Sequence, residues 1–165
     1  MNANAPEPLA PAPPDIVIGI GASAGGIRAL QTLFRNTAAE TRAAFVVVLH
    51  LSPEHESHLA DVLQVVTPLP VSTVADRRRL QAAHVYVIPP HASLTIDQDD
   101  VVVSPVTVPE ERHAPVLFRT LANTHGANAV GVVLSGTGPN GSSGIPSSRS
   151  GLCQFRSQGG MQCCA

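Results

Sequence analysis

The run Ile16-Val17-Ile18-Gly19-Ile20, broken at once by Gly21-Ala22-Ser23-Ala24-Gly25-Gly26, constrains the fold more than any other stretch of this sequence. A short, mostly β-branched apolar run predicts a buried strand, and strands covered on both faces belong to parallel sheets flanked by helices. From Ile27 to Phe34 apolar residues recur at helical spacing. Strand, glycine-rich turn and helix together open an α/β unit.

The pattern repeats along the chain. Phe45-Val46-Val47-Val48-Leu49 runs into His50, and the stretch from His55 to Val66 predicts a helix with Leu59, Val62, Leu63 and Val66 on one face. Val85-Tyr86-Val87-Ile88 stops at Pro89-Pro90. Leu94-Thr95-Ile96 and Val101-Val102-Val103 bracket an acidic turn at Asp97 to Asp100, which predicts a hairpin-type insertion. A helix from about Pro115 to Thr124 leads to a last strand, Ala129-Val130-Gly131-Val132-Val133-Leu134. Strands alternating with helices call for an open, doubly wound, mostly parallel α/β sheet with flanking helices. Residues 1–14, rich in Ala and Pro, read as a flexible leader, 15–145 as the α/β domain, and 146–165 as a disordered polar tail.

Composition narrows the partners. With 3% aromatic residues the core falls to Val, Leu, Ile and Ala, which suits a helix-covered parallel sheet. The net charge is -2, and Arg77-Arg78-Arg79 is the only basic cluster, lying between apolar segments and reading as a solvated turn. Nucleic acid is therefore not an expected partner. No apolar run approaches the ~20 residues of a membrane helix, and no signal-peptide pattern opens the chain, so no membrane insertion and a cytoplasmic location are expected. Cys153, Cys163 and Cys164 match neither a disulfide framework nor a zinc site.

Three polar segments directly follow predicted strands: the turn at Ser23, His50, and the loop Ser135-Gly136-Thr137-Gly138-Pro139-Asn140-Gly141. In a parallel sheet they share the carboxyl edge, where ligands of such folds sit. A serine hydrolase needs a hydroxyl on a turn, a histidine to take its proton, a third group to orient that histidine, and N–H groups aimed at the oxyanion. Ser23, His50 and Asn140 are of the right types. Glycines 21, 25 and 26 are expected to let the backbone curl around Ser23.

Other readings compete. Gly19-x-Gly21-x-x-Ala24 satisfies a loose dinucleotide fingerprint, which makes a nucleotide-binding module the alternative from another class; the second strand, however, ends in His50 rather than an acidic ribose ligand. His50, His55 and His58 with Glu54 and Glu56 have the composition of a metal cluster, but polar residues at a helix entrance account for them, and neither metal nor cofactor is expected. For Ser23 alone, the plainer reading is a serine in a glycine turn or at a helix N-cap.

Several motifs in order resemble one family, the chemotaxis methylesterase (CheB) catalytic domain: Ile18 to Gly26, the strand ending at His50, Val85 to Pro90, Arg112-His113, and Asn128 to Gly138. The segment His50 to Ser57 is most similar to the subgroup fused to receptor methyltransferases. The resemblance implies a serine hydrolase that cleaves glutamate methyl esters, and in some members deamidates glutamines, on chemoreceptor signalling helices. It implies Ser23 as nucleophile and His50 as general base, with Ala24, Thr137 and Gly138 near the oxyanion.

Departures from the family pattern carry expectations of their own. Asn140 stands at the place of the family's aspartate, which implies weak or absent esterase activity unless a carboxylate such as Glu54 or Glu56 reaches His50; a catalytically inactive remnant of the same fold is the alternative within the family. The stretch Arg112 to Phe118 is about two residues short of the family pattern. After Ile145 the hydrophobic periodicity stops, and Pro146-Ser147-Ser148-Arg149-Ser150 reads in a shifted frame as a family-like helix, so a frameshift near residue 145 is expected.

Overall fold

A computed structural model of the chain describes residues 12–50, 58–89, 92–105, 113–134, 153–155 and 161–163. The first apolar run forms β1 (Ile16–Ser23), which passes through a 3-10 turn (Ala24–Gly26) into α1 (Ile27–Arg35). There follow β2 (Ala43–His50), α2 (Leu59–Gln64), β3 (Val71–Thr73), β4 (Arg77–Arg79) and β5 (His84–Val87). β6 (Ala92–Asp97), β7 (Asp100–Pro105), α3 (His113–His125) and β8 (Ala129–Leu134) come next, and then β9 (Cys153–Phe155) and β10 (Met161–Cys163).

The main sheet has the order β3-β5-β2-β1-β8, and every pairing in it is parallel. Alternation along β2 divides the core in two. Phe45, Val47 and Leu49 pack with Leu30 and Phe34 of α1 and Leu59 and Leu63 of α2. Val46 and Val48 pack on the opposite face with Leu117, Phe118 and Leu121 of α3. Helices therefore cover both faces, as the doubly wound reading requires. Each fully buried Leu or Phe contributes on the order of 1.5–3 kcal/mol.

β6 and β7 form the expected antiparallel hairpin, turned at Gln98, whose φ is 53°. β4 adds to it as a third strand. This corrects the reading of Arg77-Arg78-Arg79 as a solvated turn: the triplet is an exposed edge strand. Arg77 bridges to Asp97 at 3.1 Å and Asp100 at 2.6 Å, and Arg79 to Asp99 at 3.1 Å. The basic cluster thus meets the acidic turn about twenty residues further on, which local sequence does not show. Such exposed pairs contribute about 0–1 kcal/mol each. At the opposite edge of this small sheet, the Ile96 N–H donates to Thr120 Oγ1 of α3 at 3.1 Å, so the helix covers what would be an open strand edge.

α2 is shorter than expected. Leu59 and Leu63, one turn apart, are buried, but Val62 is at the exposed limit and Val66 is half-buried. The Gln64 side chain ends the helix by donating to Leu69 O and accepting from Val71 N, which ties it to β3. Residues 51–57, which include the first part of the expected helix, 55–57, lie outside the described residues, as do residues 1–11 of the expected leader. Within 146–165 the described residues form an antiparallel ribbon, β9 with β10.

Candidate functional site

β1 lies where the winding of the sheet reverses. The chain leaves β1 through α1 to reach β2 on one side, with α1 on one face. It returns through α3, on the other face, to place β8 on the opposite side of β1. In open α/β sheets the ligand crevice lies outside the carboxyl ends of the strands at such a switch point. Ser23 is the last residue of β1.

The register is specific at this edge. Ser23 is the strand partner of His50, the last residue of β2. On the other side Ala22 pairs with Leu134, the last residue of β8. Neighbouring strands lie about 4.8 Å apart. The sheet thus brings Ser23 and His50 to one edge, and the third polar segment, 135–141, lies outside the described residues. Thr137, Gly138 and Asn140 themselves lie outside the described residues, as do Glu54, His55, Glu56 and Arg112.

Ser23 has extended backbone, with φ -96° and ψ 174°, and is half-buried. It occupies the N-cap position of the turn at Ala24–Gly26, yet its side chain makes no capping hydrogen bond. The hydroxyl is therefore not a side-chain cap of that turn.

The glycines around it act differently from expectation. Gly21 is not in the left-handed region, and neither is Gly25. A Cβ at Gly21 would come 3.1 Å from Ala114 Cβ and 3.3 Å from Phe118, and one at Gly19 would come 3.0 Å from Leu121. These two glycines let α3 close onto β1. Both are also paired within β1 on each side, so they do not form a turn that cradles phosphate, and the dinucleotide reading loses its structural basis.

Away from this edge, His58 occupies the N-cap position of α2, exposed to solvent, with Nδ1 3.7 Å from Asp61. That is a helix-entrance environment. The sheet also holds a second polar pair that the sequence pattern does not single out. His84 stacks on Tyr86 with centroids 4.5 Å apart, and its Nε2 meets Ser72 Oγ. Burial, with Arg78 nearby, holds its imidazole below the ordinary range. The Tyr86 hydroxyl donates to Arg79 O and accepts from the Gln81 N–H, each at 3.0 Å. This pair serves the junction of β3, β4 and β5.

A five-stranded parallel sheet with helices on both faces defines a doubly wound α/β domain, with polar residues ending adjacent strands at the switch point. The model of the CheB methylesterase family matches residues 18–154, and the chain belongs to that family. Among its relatives, the protein-glutamate methylesterase/protein-glutamine glutaminase 1 of Myxococcus xanthus is 31% identical over 137 residues, covering 79% of this chain and 40% of the relative. A protein of that name numbered 3, from Anaeromyxobacter dehalogenans, is 34% identical over 157 residues, 87% of this chain and 44% of its own. The chain thus spans about two-fifths of the length of these relatives. The crystal structure of the Thermotoga maritima CheB methylesterase catalytic domain superposes with a TM-score of 0.68 at 23% identity, covering 83% of this chain and 77% of that one; the likeness is one of fold. No helix among the described residues is long and apolar enough to cross a membrane.

Proposed function

We propose that this chain is a protein-glutamate methylesterase-type serine hydrolase, acting on glutamate methyl esters of chemoreceptor signalling helices in the cytoplasm. The observation that carries the reading is the pairing of Ser23 with His50 at the end of adjacent strands in a member of this family. The names of its relatives, which combine protein-glutamate methylesterase with protein-glutamine glutaminase, support this substrate class and extend it to protein glutamines.

In this mechanism Ser23 Oγ attacks the ester carbonyl while His50 takes its proton. His50 then returns the proton to the departing methoxide, releasing methanol. Water, deprotonated by His50, attacks the acyl-enzyme and regenerates Ser23. The N–H of Ala24, at the amino end of the turn that leads into α1, and the loop at Thr137 and Gly138 stabilise the oxyanion. Asn140 orients His50 but, being neutral, does not offset the charge that develops on the ring, so turnover is low. The reaction uses no metal or cofactor, and neither nucleic acid nor membrane takes part.

The test is methanol release from a methylated chemoreceptor fragment. Release by the chain that disappears in Ser23→Ala supports the proposal. Equal release by Ser23→Ala contradicts it.

A further inference from the structure

Gly25 is the middle residue of the turn that follows Ser23, and it is exposed. Nothing in its backbone calls for glycine: among the described residues the left-handed region is occupied only by Ala83, Gln98 and Gly126. Packing among the described residues does not call for it either, in contrast to Gly19 and Gly21, where a Cβ would run into α3. A Cβ at position 25 meets one described atom outside its chain neighbours within 4 Å, and that atom is Ser23 Oγ, at 4.0 Å. Among the described residues, the space beside this glycine lies next to the hydroxyl.

We infer that Gly25 is a specificity-determining residue, bare so that an acyl group attached to a bulky carrier, a glutamyl ester on the surface of a folded helix, can reach Ser23. The inference rests on the reading of Ser23 as nucleophile and deepens it. Ser23 is half-buried, and Gly25, whose Cβ would stand 4.0 Å from its hydroxyl, is exposed. A small free ester needs little room there. An ester on a protein brings its own backbone and neighbouring side chains close to the carbonyl, and a side chain at position 25 would occupy that volume.

The experiment compares Ser23 labelling rates for two fluorophosphonates, one with a methyl group on phosphorus and one with a bulky branched cage, on the parent chain, Gly25→Ala and Gly25→Val. Mass spectrometry locates the label and a thermal melt accompanies each protein. The small-to-bulky rate ratio is expected to rise by about tenfold in Gly25→Val, the scale of one misfitting methylene in a pocket, with Gly25→Ala in between. If Gly25→Val does not melt cooperatively, Gly25→Ala decides the direction. A ratio that stays at the parent's value in the folded variants overturns the inference while leaving Ser23 as nucleophile. A parent that neither reagent labels at Ser23 overturns both.

Discussion

Ser23 and His50 are partners in the parallel register of β1 and β2, each the last residue of its strand. A one-residue slip of either strand would move its side chains to the opposite face and separate the two. The alternating burial of β2, with Phe45, Val47 and Leu49 in one core and Val46 and Val48 in the other, is what holds that register. Hydrophobic packing thereby sets the geometry of the polar edge.

The close approach of α3 to β1 gives the first prediction. At Gly21 an added methyl meets Ala114 Cβ, which is fixed to the helix backbone, whereas at Gly19 it meets the ends of Leu117 and Leu121, which can rotate. Gly21→Ala is expected to destabilise the fold by about 1–3 kcal/mol, as overpacking does. Gly19→Ala is expected to cost less, because leucine repacking and the lower entropy of the unfolded chain offset part of the strain. Urea titration of both variants checks the order, and an equal or reversed order contradicts this account of the helix–strand contact.

Thr120 supplies the second. Its hydroxyl accepts from the Ile96 N–H and donates within α3 to Val116 O. Thr120→Val keeps the shape and leaves the strand-edge N–H without its partner, at a cost of about 1–3 kcal/mol. Hydrogen exchange at Ile96 should accelerate in the variant; unchanged protection would mean the edge is covered by other means.

The third concerns pH. Burial lowers the pKa of His84, and it lowers that of His125 against the opposing pull of Asp99. A histidine with a depressed folded pKa binds fewer protons when folded than when unfolded, so stability rises with pH across the interval between the two values. The contribution is complete above the unfolded value of about 6.5 and is lost as pH falls through it towards the folded pKa. The melting temperature should therefore decline as the solution is acidified below neutrality, before the carboxylates titrate. The double variant His84→Gln, His125→Gln should decline less over that interval. An identical decline would assign the effect to other groups.

Asn140 carries the fourth. In serine proteases, replacing the triad aspartate by asparagine lowers turnover by about 10⁴. The reverse change, Asn140→Asp, is expected to raise methanol release by several orders of magnitude with little change in KM. A revertant no faster than its parent would remove Asn140 from the mechanism.

Much of this organisation is legible in the sequence. β1, β2, β8, α1 and α3 announce themselves because long apolar runs and helical periodicity are local properties. The carboxyl-edge placement of Ser23 and His50 follows from those runs. β3 escapes because Val71-Ser72-Thr73 is too short to show a period, and β4 because three arginines signal solvent until the acidic turn that pairs with them is in place. The glycine pattern predicts that Gly21 bends the chain at Ser23, whereas the surface it accommodates belongs to α3, far along the chain. Sequence pattern identifies which residues are small or charged; only the fold identifies what they are small for and what balances the charge.

The most direct test of the central claim, that Ser23 is a nucleophile served by His50, is fluorophosphonate labelling of the chain with the adduct located by mass spectrometry. The account predicts slow labelling at Ser23 that is absent in Ser23→Ala, strongly reduced in His50→Gln and faster in Asn140→Asp. A cooperatively folded chain that carries no label at Ser23, with or without aspartate at position 140, would contradict it.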